Sequence, residues 1–384
     1  MPFPRRDLLR AGNVTNPLLD PVAITPARFE QLGRSVATLL ETGLDVVLPQ
    51  AEAVLPLEAA ARGIGRAGVA ALNLETSPYG TTIGRWLRQA GATVLGIAPQ
   101  PRRAVEPEAV ERALRANPEI SIVSFVHVEA ASGMRNDAPA IVSLAREHGA
   151  LVLIDVVAST GAHDVRLDDW GVDVAVIGPQ KALAGPAGIS IAAVSGRAWR
   201  AMSDNPAAPR GSVLSLLDWK EHWVDSDRGV IPATAVPLEI LALEAAVERL
   251  LAEGLTSVQR RHRCAAAASR AGARALGLTP YAPDAEAAVV ATTLAAPSGT
   301  DARVLVERAR AGRPVALSAG FGALAPTVLR VDHTGQRARL DVVLSALEAL
   351  AGALNSPPAA KSSAPDALEA AERAWSAEEA RSVS

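Results

Sequence analysis

From about residue 44 to residue 195 short apolar runs alternate with amphipathic stretches, and this alternation constrains the fold more than any other feature of the chain. Strands read at residues 45–48, 69–74, 93–97, 120–128, 151–154, 172–177 and 189–194. Most are apolar throughout instead of alternating, so neither face of the sheet they form can lie against water. Helical patterns at 81–89, 107–116 and 138–148 fall between them, and the last is well punctuated. Asn136 and Asp137 are candidate caps, Pro139 opens the first turn and Gly149 stops the helix. Such βα alternation predicts an α/β fold, a mostly parallel sheet between helices, with any site at the strand carboxyl ends.

A helical pattern at 238–252 then leads away from this sheet. Beyond it come strands at 287–294, 315–317 and 328–331 and helices at 302–310 and 340–354, a smaller α+β unit. The reading divides the chain into an N-terminal arm (1–18), a large α/β domain (19–245), a small C-terminal α+β domain (246–354) and a flexible tail (355–384). The tail opens on a Ser/Pro/Ala/Lys linker composition, with an Ala/Glu-rich helix expected at 367–381 and Trp375 as its docking residue.

The 38 basic residues are scattered and nearly balanced by 41 acidic ones, leaving a formal charge of −3, so no nucleic-acid partner is expected. No apolar stretch approaches the roughly 18 residues of a membrane helix, and the N-terminus has no signal-peptide pattern. A cytoplasmic protein without membrane association is the expectation. Cys264 is the single cysteine, expected as a buried, inert thiol, and no metal site is predicted.

Two polar residues interrupt this apolar framework where chemistry is expected. Asp155 ends the strand at 151–154, and Lys181 follows the next strand in a loop reading Gly178-Pro179-Gln180-Lys181-Ala182-Leu183-Ala184-Gly185-Pro186-Ala187-Gly188. A lysine amine condenses with the aldehyde of a pyridoxal ring, and a carboxylate holds the ring nitrogen protonated so that the ring withdraws electrons. An Asp and a Lys at strand ends are weak evidence alone, since both are common surface charges.

The surrounding words strengthen them. Gln180-Lys181, Gly185-Pro186-Ala187-Gly188, Asp155, and His127 with Ser132-Gly133 together resemble the class V branch of fold-type I aminotransferases. The resemblance spans about residues 37–354. It implies a large domain with a mostly parallel sheet plus a smaller C-terminal domain, a homodimer or dimer of dimers, and transfer of an amino group through an imine with Lys181. In that family the lysine also moves protons, and the residue matching Asp155 bonds the ring nitrogen. Tyr79, in Ser77-Pro78-Tyr79-Gly80, matches the aromatic covering the ring. Val157 matches the small apolar residue under it, Ser132 a hydroxyl near the ring oxygen, and Thr234 a residue reaching across the dimer interface. Arg330 matches a carboxylate clamp, since a planar guanidinium pairs bidentately with an acid.

Glu52 sorts the chain within the family. Ordinary members hold the cofactor phosphate with a Ser/Thr-Gly loop at a helix N-terminus, where free N–H groups favour an anion. Here the matching stretch is Gln50-Ala51-Glu52-Ala53-Val54, Pro179 replaces a common serine and Ile231 a tyrosine of some members, while Gln180 and Thr234 remain. A carboxylate beside a phosphate is repelled by about 4 kcal/mol per unit-charge pair at 4 Å and an effective dielectric of 20. The resemblance therefore implies unphosphorylated pyridoxal or pyridoxamine as a transient substrate, with a 2-oxo acid such as pyruvate as the acceptor. Conventional class V transamination with resident pyridoxal phosphate is the first alternative, and a non-catalytic B6-binding protein the second. The family's second acid-binding arginine is absent from Ser318-Ala319-Gly320-Phe321-Gly322, so Phe321 points to a larger or more apolar acid.

Overall fold

The computed structural model describes residues 20–311, 314–354 and 364–381; the predicted N-terminal arm and the linker at 355–363 lie outside them. The strands are β1 (Asp45–Val47), β2 (Ala70–Leu74), β3 (Thr93–Ile97), β4 (Ile120–Val126), β5 (Val128–Glu129), β6 (Met134–Arg135), β7 (Leu151–Asp155), β8 (Val174–Ile177), β9 (Ile191–Val194), β10 (Thr292–Ala295), β11 (Leu317–Ala319) and β12 (Val328–Val331). The helices of the first half are α1 (Pro26–Leu39), α2 (Val54–Ile64), α3 (Pro78–Gln89), α4 (Pro107–Ala116), α5 (Ala138–Glu147), α6 (Leu167–Trp170), α7 (Gly196–Ser203) and α8 (Leu216–Trp219). Those of the second half are α9 (Pro237–Glu253), α10 (Leu255–Ala275), α11 (Ala302–Arg310), α12 (Leu340–Leu354) and α13 (Ala364–Arg381). None of the described helices is long and apolar enough to cross a membrane.

Seven strands form the main sheet in the order β1-β9-β8-β7-β4-β2-β3, with β9 alone reversed. Every residue of β8 and β9 is buried, as continuous apolar runs require when helices cover both faces. In register, Asp155 lies beside Val126 of β4 and Val176 of β8, at the carboxyl edge of the sheet. The order reverses its direction of growth at β2, which has β3 on one side and β4, then β7, on the other, so Asp155 lies two strands along from the reversal.

Local chemistry sets where the helices begin. Ser77 caps α3 by accepting the Tyr79 and Gly80 N–H groups, and Pro78 occupies the first turn, so α3 starts three residues before the predicted 81. Asp137 caps α5 as expected. The predicted strand at 287–294 shrinks to β10, because its first half bonds elsewhere: Ala288 donates to the Gly133 carbonyl and Val289 to His163 Nε2. The run at 120–128 divides after Val126, where the chain turns into the β5–β6 hairpin.

β10, β12 and β11 make a second, three-stranded sheet, with Leu329, Val331 and Leu347 in its apolar cluster. The large cluster runs on through α9 to Val258 and the small one starts at Ala265, so α10 serves both cores. The pattern boundary at 245/246 therefore falls inside α9. Residues 364–381, read as part of a flexible tail with a helix expected at 367–381, form α13 packed on α10, with Ala367 and Ala371 buried and Trp375 against the cluster. Small residues permit that close approach: a Cβ on Gly272 would lie 3.0 Å from the Ala367 carbonyl oxygen. Cys264 is buried beneath this contact, and burial pushes its thiol up to about 11, which makes it inert.

Candidate active site

The carboxyl edge of β7 and β8 and the starts of α2 and α3 converge on a cleft. Glu52, Tyr79, Asp155, Val157 and Lys181 all line it, with Val126, Val128, Glu129 and Ala130 as part of the wall. A larger groove lies between residues 160–169 and α10, but its charges satisfy one another: Arg166 pairs with Asp164 and Asp169, and Asp168 accepts from Thr42 and Gly43. The smaller cleft holds the convergent chemistry.

Asp155 is almost completely buried, and its Oδ1 accepts the Val157 N–H at 2.8 Å. Burial pushes its carboxyl up to about 7, while that hydrogen bond and the charge of Lys181 pull it down and Glu52 adds to the rise. Such a carboxylate gains most from a cationic partner. Lys181 follows β8 in a tight loop closed by Ala184 N–H to the Lys181 carbonyl, with Ala184 in the left-handed region at φ +51°. Tyr79 is half-exposed over the cleft from the first turn of α3. Burial, then the charges of Glu52, Asp155 and Glu129, raise its phenol.

Glu52 stands at the start of α2, where Ala53 offers no side-chain cap. Its Oε2 accepts the Val54 N–H at 2.8 Å, and its Oε1 accepts the Gln180 side-chain amide at 2.9 Å. The helix terminus that would hold an anion is thus already filled by a carboxylate. Gln50, nearby, binds the Thr234 carbonyl and the Val236 N–H, tying the exposed Thr234 segment to this corner.

Other predicted residues stand outside the cleft lining. The Ser132 hydroxyl accepts the Met134 N–H inside its own hairpin, and its carbonyl accepts the Thr293 hydroxyl. Arg330 on β12 pairs with Asp332 at 2.8 Å, and Phe321 is 61% exposed. His127 is a core residue. It packs on His163 and Trp170, and burial depresses its imidazole to about 3.

Glu129 carries a role that sequence reasoning left unassigned. It lines the cleft fully buried, accepts the Thr76 hydroxyl at 2.6 Å, and is pushed up to about 7 by burial. The available signal was a lone acid inside the apolar stretch 120–131.

A lysine and a buried acid across one cleft, at the strand ends of such a sheet, find their counterpart in known proteins. Residues 81–332 match the family described as Aminotransferase class-V. The chain belongs to the class-V aminotransferases. This aminotransferase is 37% identical over 310 residues, 80% of its chain and 78% of the relative, to the pyridoxamine–pyruvate transaminase of Mesorhizobium japonicum. It is 33% identical over 277 residues, 70% and 68% of the two chains, to a serine–glyoxylate aminotransferase of Methylorubrum extorquens. Among solved structures, the pyridoxamine–pyruvate aminotransferase of Mesorhizobium loti superposes with a TM-score of 0.88 at 33% identity, covering 94% of this chain and 93% of the other. The aminotransferase is therefore a fold-type I enzyme that transfers amino groups, a family whose usual cofactor is pyridoxal phosphate. Lys181 and Asp155, both lining the cleft, are the amine and the acid that a pyridoxal ring calls for. The phosphate end does not fit, because Glu52 occupies the helix terminus a phosphate would need.

Proposed function

We propose that this enzyme transfers an amino group between pyridoxamine, without phosphate, and a 2-oxo acid such as pyruvate. The observation that carries this reading is the Glu52 carboxylate, held by the Val54 N–H and the Gln180 amide at the start of α2. In that place it accepts a hydrogen bond from a neutral hydroxymethyl group and repels a phosphate dianion. The similarity to pyridoxamine–pyruvate transaminase, in sequence and in structure, supports the same substrate class.

When bound, the ring supplies an electron sink. The rest is the work of this chain. Lys181 supplies the amine that condenses with a pyridoxal aldehyde, and its nitrogen carries protons to and from the substrate carbon. Asp155, positioned by the Val157 N–H, keeps a proton on the ring nitrogen. Tyr79 stacks on the ring's open side and Val157 packs below it. Arg330 binds the acid co-substrate. The exposed apolar residues Val230, Val236 and Leu238 flank Thr234 and suit a homodimer face.

Conventional transamination with resident pyridoxal phosphate is the second reading, favoured by the similarity to a serine–glyoxylate aminotransferase. Absorbance titration of the purified protein with pyridoxal and with pyridoxal phosphate separates the two. The wild type is expected to be colourless after dialysis and to bind pyridoxal at least a hundredfold more tightly. Glu52→Ser is expected to narrow the gap by tenfold to a hundredfold, roughly 1–3 kcal/mol. Tighter binding of the phosphate form by the wild type establishes the second reading instead.

A further inference from the structure

Arg330 and Ser318 are direct partners across the antiparallel β11–β12 pair, so their side chains share one face of the small sheet. Both Arg330 Nε and Ser318 Oγ are buried, and among the described residues neither has a hydrogen-bond partner. Two donors left open side by side form a niche that an acceptor with two oxygens completes. The niche belongs to the active-site corner. Thr293, the neighbour of Arg330 on the other side, donates its hydroxyl to the Ser132 carbonyl of the β5–β6 hairpin. Past β12 the chain reaches Gly335, where a Cβ would lie 2.9 Å from the Lys181 carbonyl oxygen.

The guanidinium in this niche is already half committed. Its terminal nitrogen forms an ion pair with Asp332 Oδ1 at 2.8 Å, without the geometry of a hydrogen bond, so that this oxygen too is unpartnered among the described residues; both side chains are largely buried, at 22% and 15% exposure. Arg330 and Asp332 together are neutral. A single incoming carboxylate finds the open Nε edge and the Ser318 hydroxyl. A second carboxylate on the same acid meets the Asp332 charge, and the stretch Ser318-Ala319-Gly320-Phe321-Gly322 after the niche offers no cation.

We propose that Asp332 is a specificity-determining residue: it holds the Arg330 guanidinium with its Nε edge open and turns away dicarboxylic 2-oxo acids, leaving monocarboxylic 2-oxo acids as acceptors. This rests on the reading of Arg330 as the acid clamp. Within a buried niche a like charge acts at close range with little screening by solvent, so Asp332 weighs more heavily than a surface acid. Its ion pair with Arg330 also lowers the affinity for every acid, because the incoming carboxylate shares the guanidinium instead of having it alone.

Steady-state kinetics with pyridoxamine and, in turn, pyruvate, 4-methyl-2-oxopentanoate and 2-oxoglutarate test this. The wild type is expected to favour both monoacids over 2-oxoglutarate by a hundredfold or more in kcat/KM. Asp332→Asn narrows that ratio at least tenfold, mainly through the KM of the acids, and leaves the KM for pyridoxamine unchanged. Asp332→Glu restores the discrimination. Calorimetric binding of the same acids to the ligand-free protein reads the selectivity without turnover. An unchanged ratio in Asp332→Asn, or an equal shift in the KM for pyridoxamine, overturns the proposal. Arg330→Lys tells the two failures apart. If it leaves the acid KM unchanged, the clamp reading falls and the proposal with it; if it raises the acid KM while Asp332→Asn does nothing, the role of Asp332 alone is refuted.

Discussion

Two buried carboxyls, Asp155 and Glu129, face the same cleft, and each is pushed to about 7 chiefly by burial. A folded-state value above the unfolded one means the native protein binds that proton more tightly. Stability of the ligand-free enzyme therefore falls as pH rises from about 4 through about 7, and it stays low above that. Shifts from about 4 to about 7, at 1.36 kcal/mol per unit, put the cost at roughly 3–4 kcal/mol per acid. Asp155→Asn, which keeps the oxygen that accepts the Val157 N–H, is expected to be the more stable protein at pH 8 by about 2–4 kcal/mol. At pH 4 the two should be equal. Urea unfolding at both pH values checks this, and transamination should slow by orders of magnitude in the same variant. Equal stability at pH 8 contradicts a buried, uncompensated charge. At this scale Lys181 and Asp155 were legible as an amine and an acid at strand ends among apolar runs, while Tyr79, Val157 and Glu52 were marked by the resemblance to the class V family. Glu129 was left without a role, since an acid takes its meaning from the wall it faces.

Between residue and molecule, the decisive element is the turn after β12. Gly335 adopts φ +61°, donates its N–H to His262 Nε2 at 3.0 Å and accepts Arg261 at its carbonyl. A Cβ there would meet the Lys181 carbonyl oxygen at 2.9 Å and Ala184 Cβ at 3.0 Å. The small domain is thus fitted against the backbone of the lysine loop through one residue that only glycine suits. Gly335→Ala is expected to cost about 1–3 kcal/mol of stability from strain and close contact, and to lower kcat by displacing Lys181. Denaturation midpoints and turnover measured on one preparation test it. A variant unchanged in both shows that the lysine loop is positioned without the small domain. The sheet strands were legible because their apolar runs are continuous. The start of α3 and the shortened β10 were not, because a serine cap and hydrogen bonds to Gly133 and His163 decided them.

At the scale of the whole molecule, three exposed apolar residues flank Thr234: Val230 is 62% exposed, Val236 38% and Leu238 43%, around the segment that Gln50 anchors beside Glu52. The proposed homodimer covers them with a second copy. Light scattering is expected to give at least twice the 39.7 kDa chain mass. A monomer at micromolar concentration would remove Thr234 from any neighbour's site. The periodicity of residues 44–195 determined by itself the α/β class and the place of Asp155 and Lys181 at the strand ends, because the alternation of apolar runs and capped helices is local physics. Tertiary structure alone decided that the Val54 N–H and the Gln180 amide hold Glu52, that Glu129 and Asp155 share one wall, that Asp332 stands beside Arg330, and that α13 packs on α10. Each depends on which buried groups meet across distant parts of the chain, where desolvation and close contact, and not propensity, set the outcome.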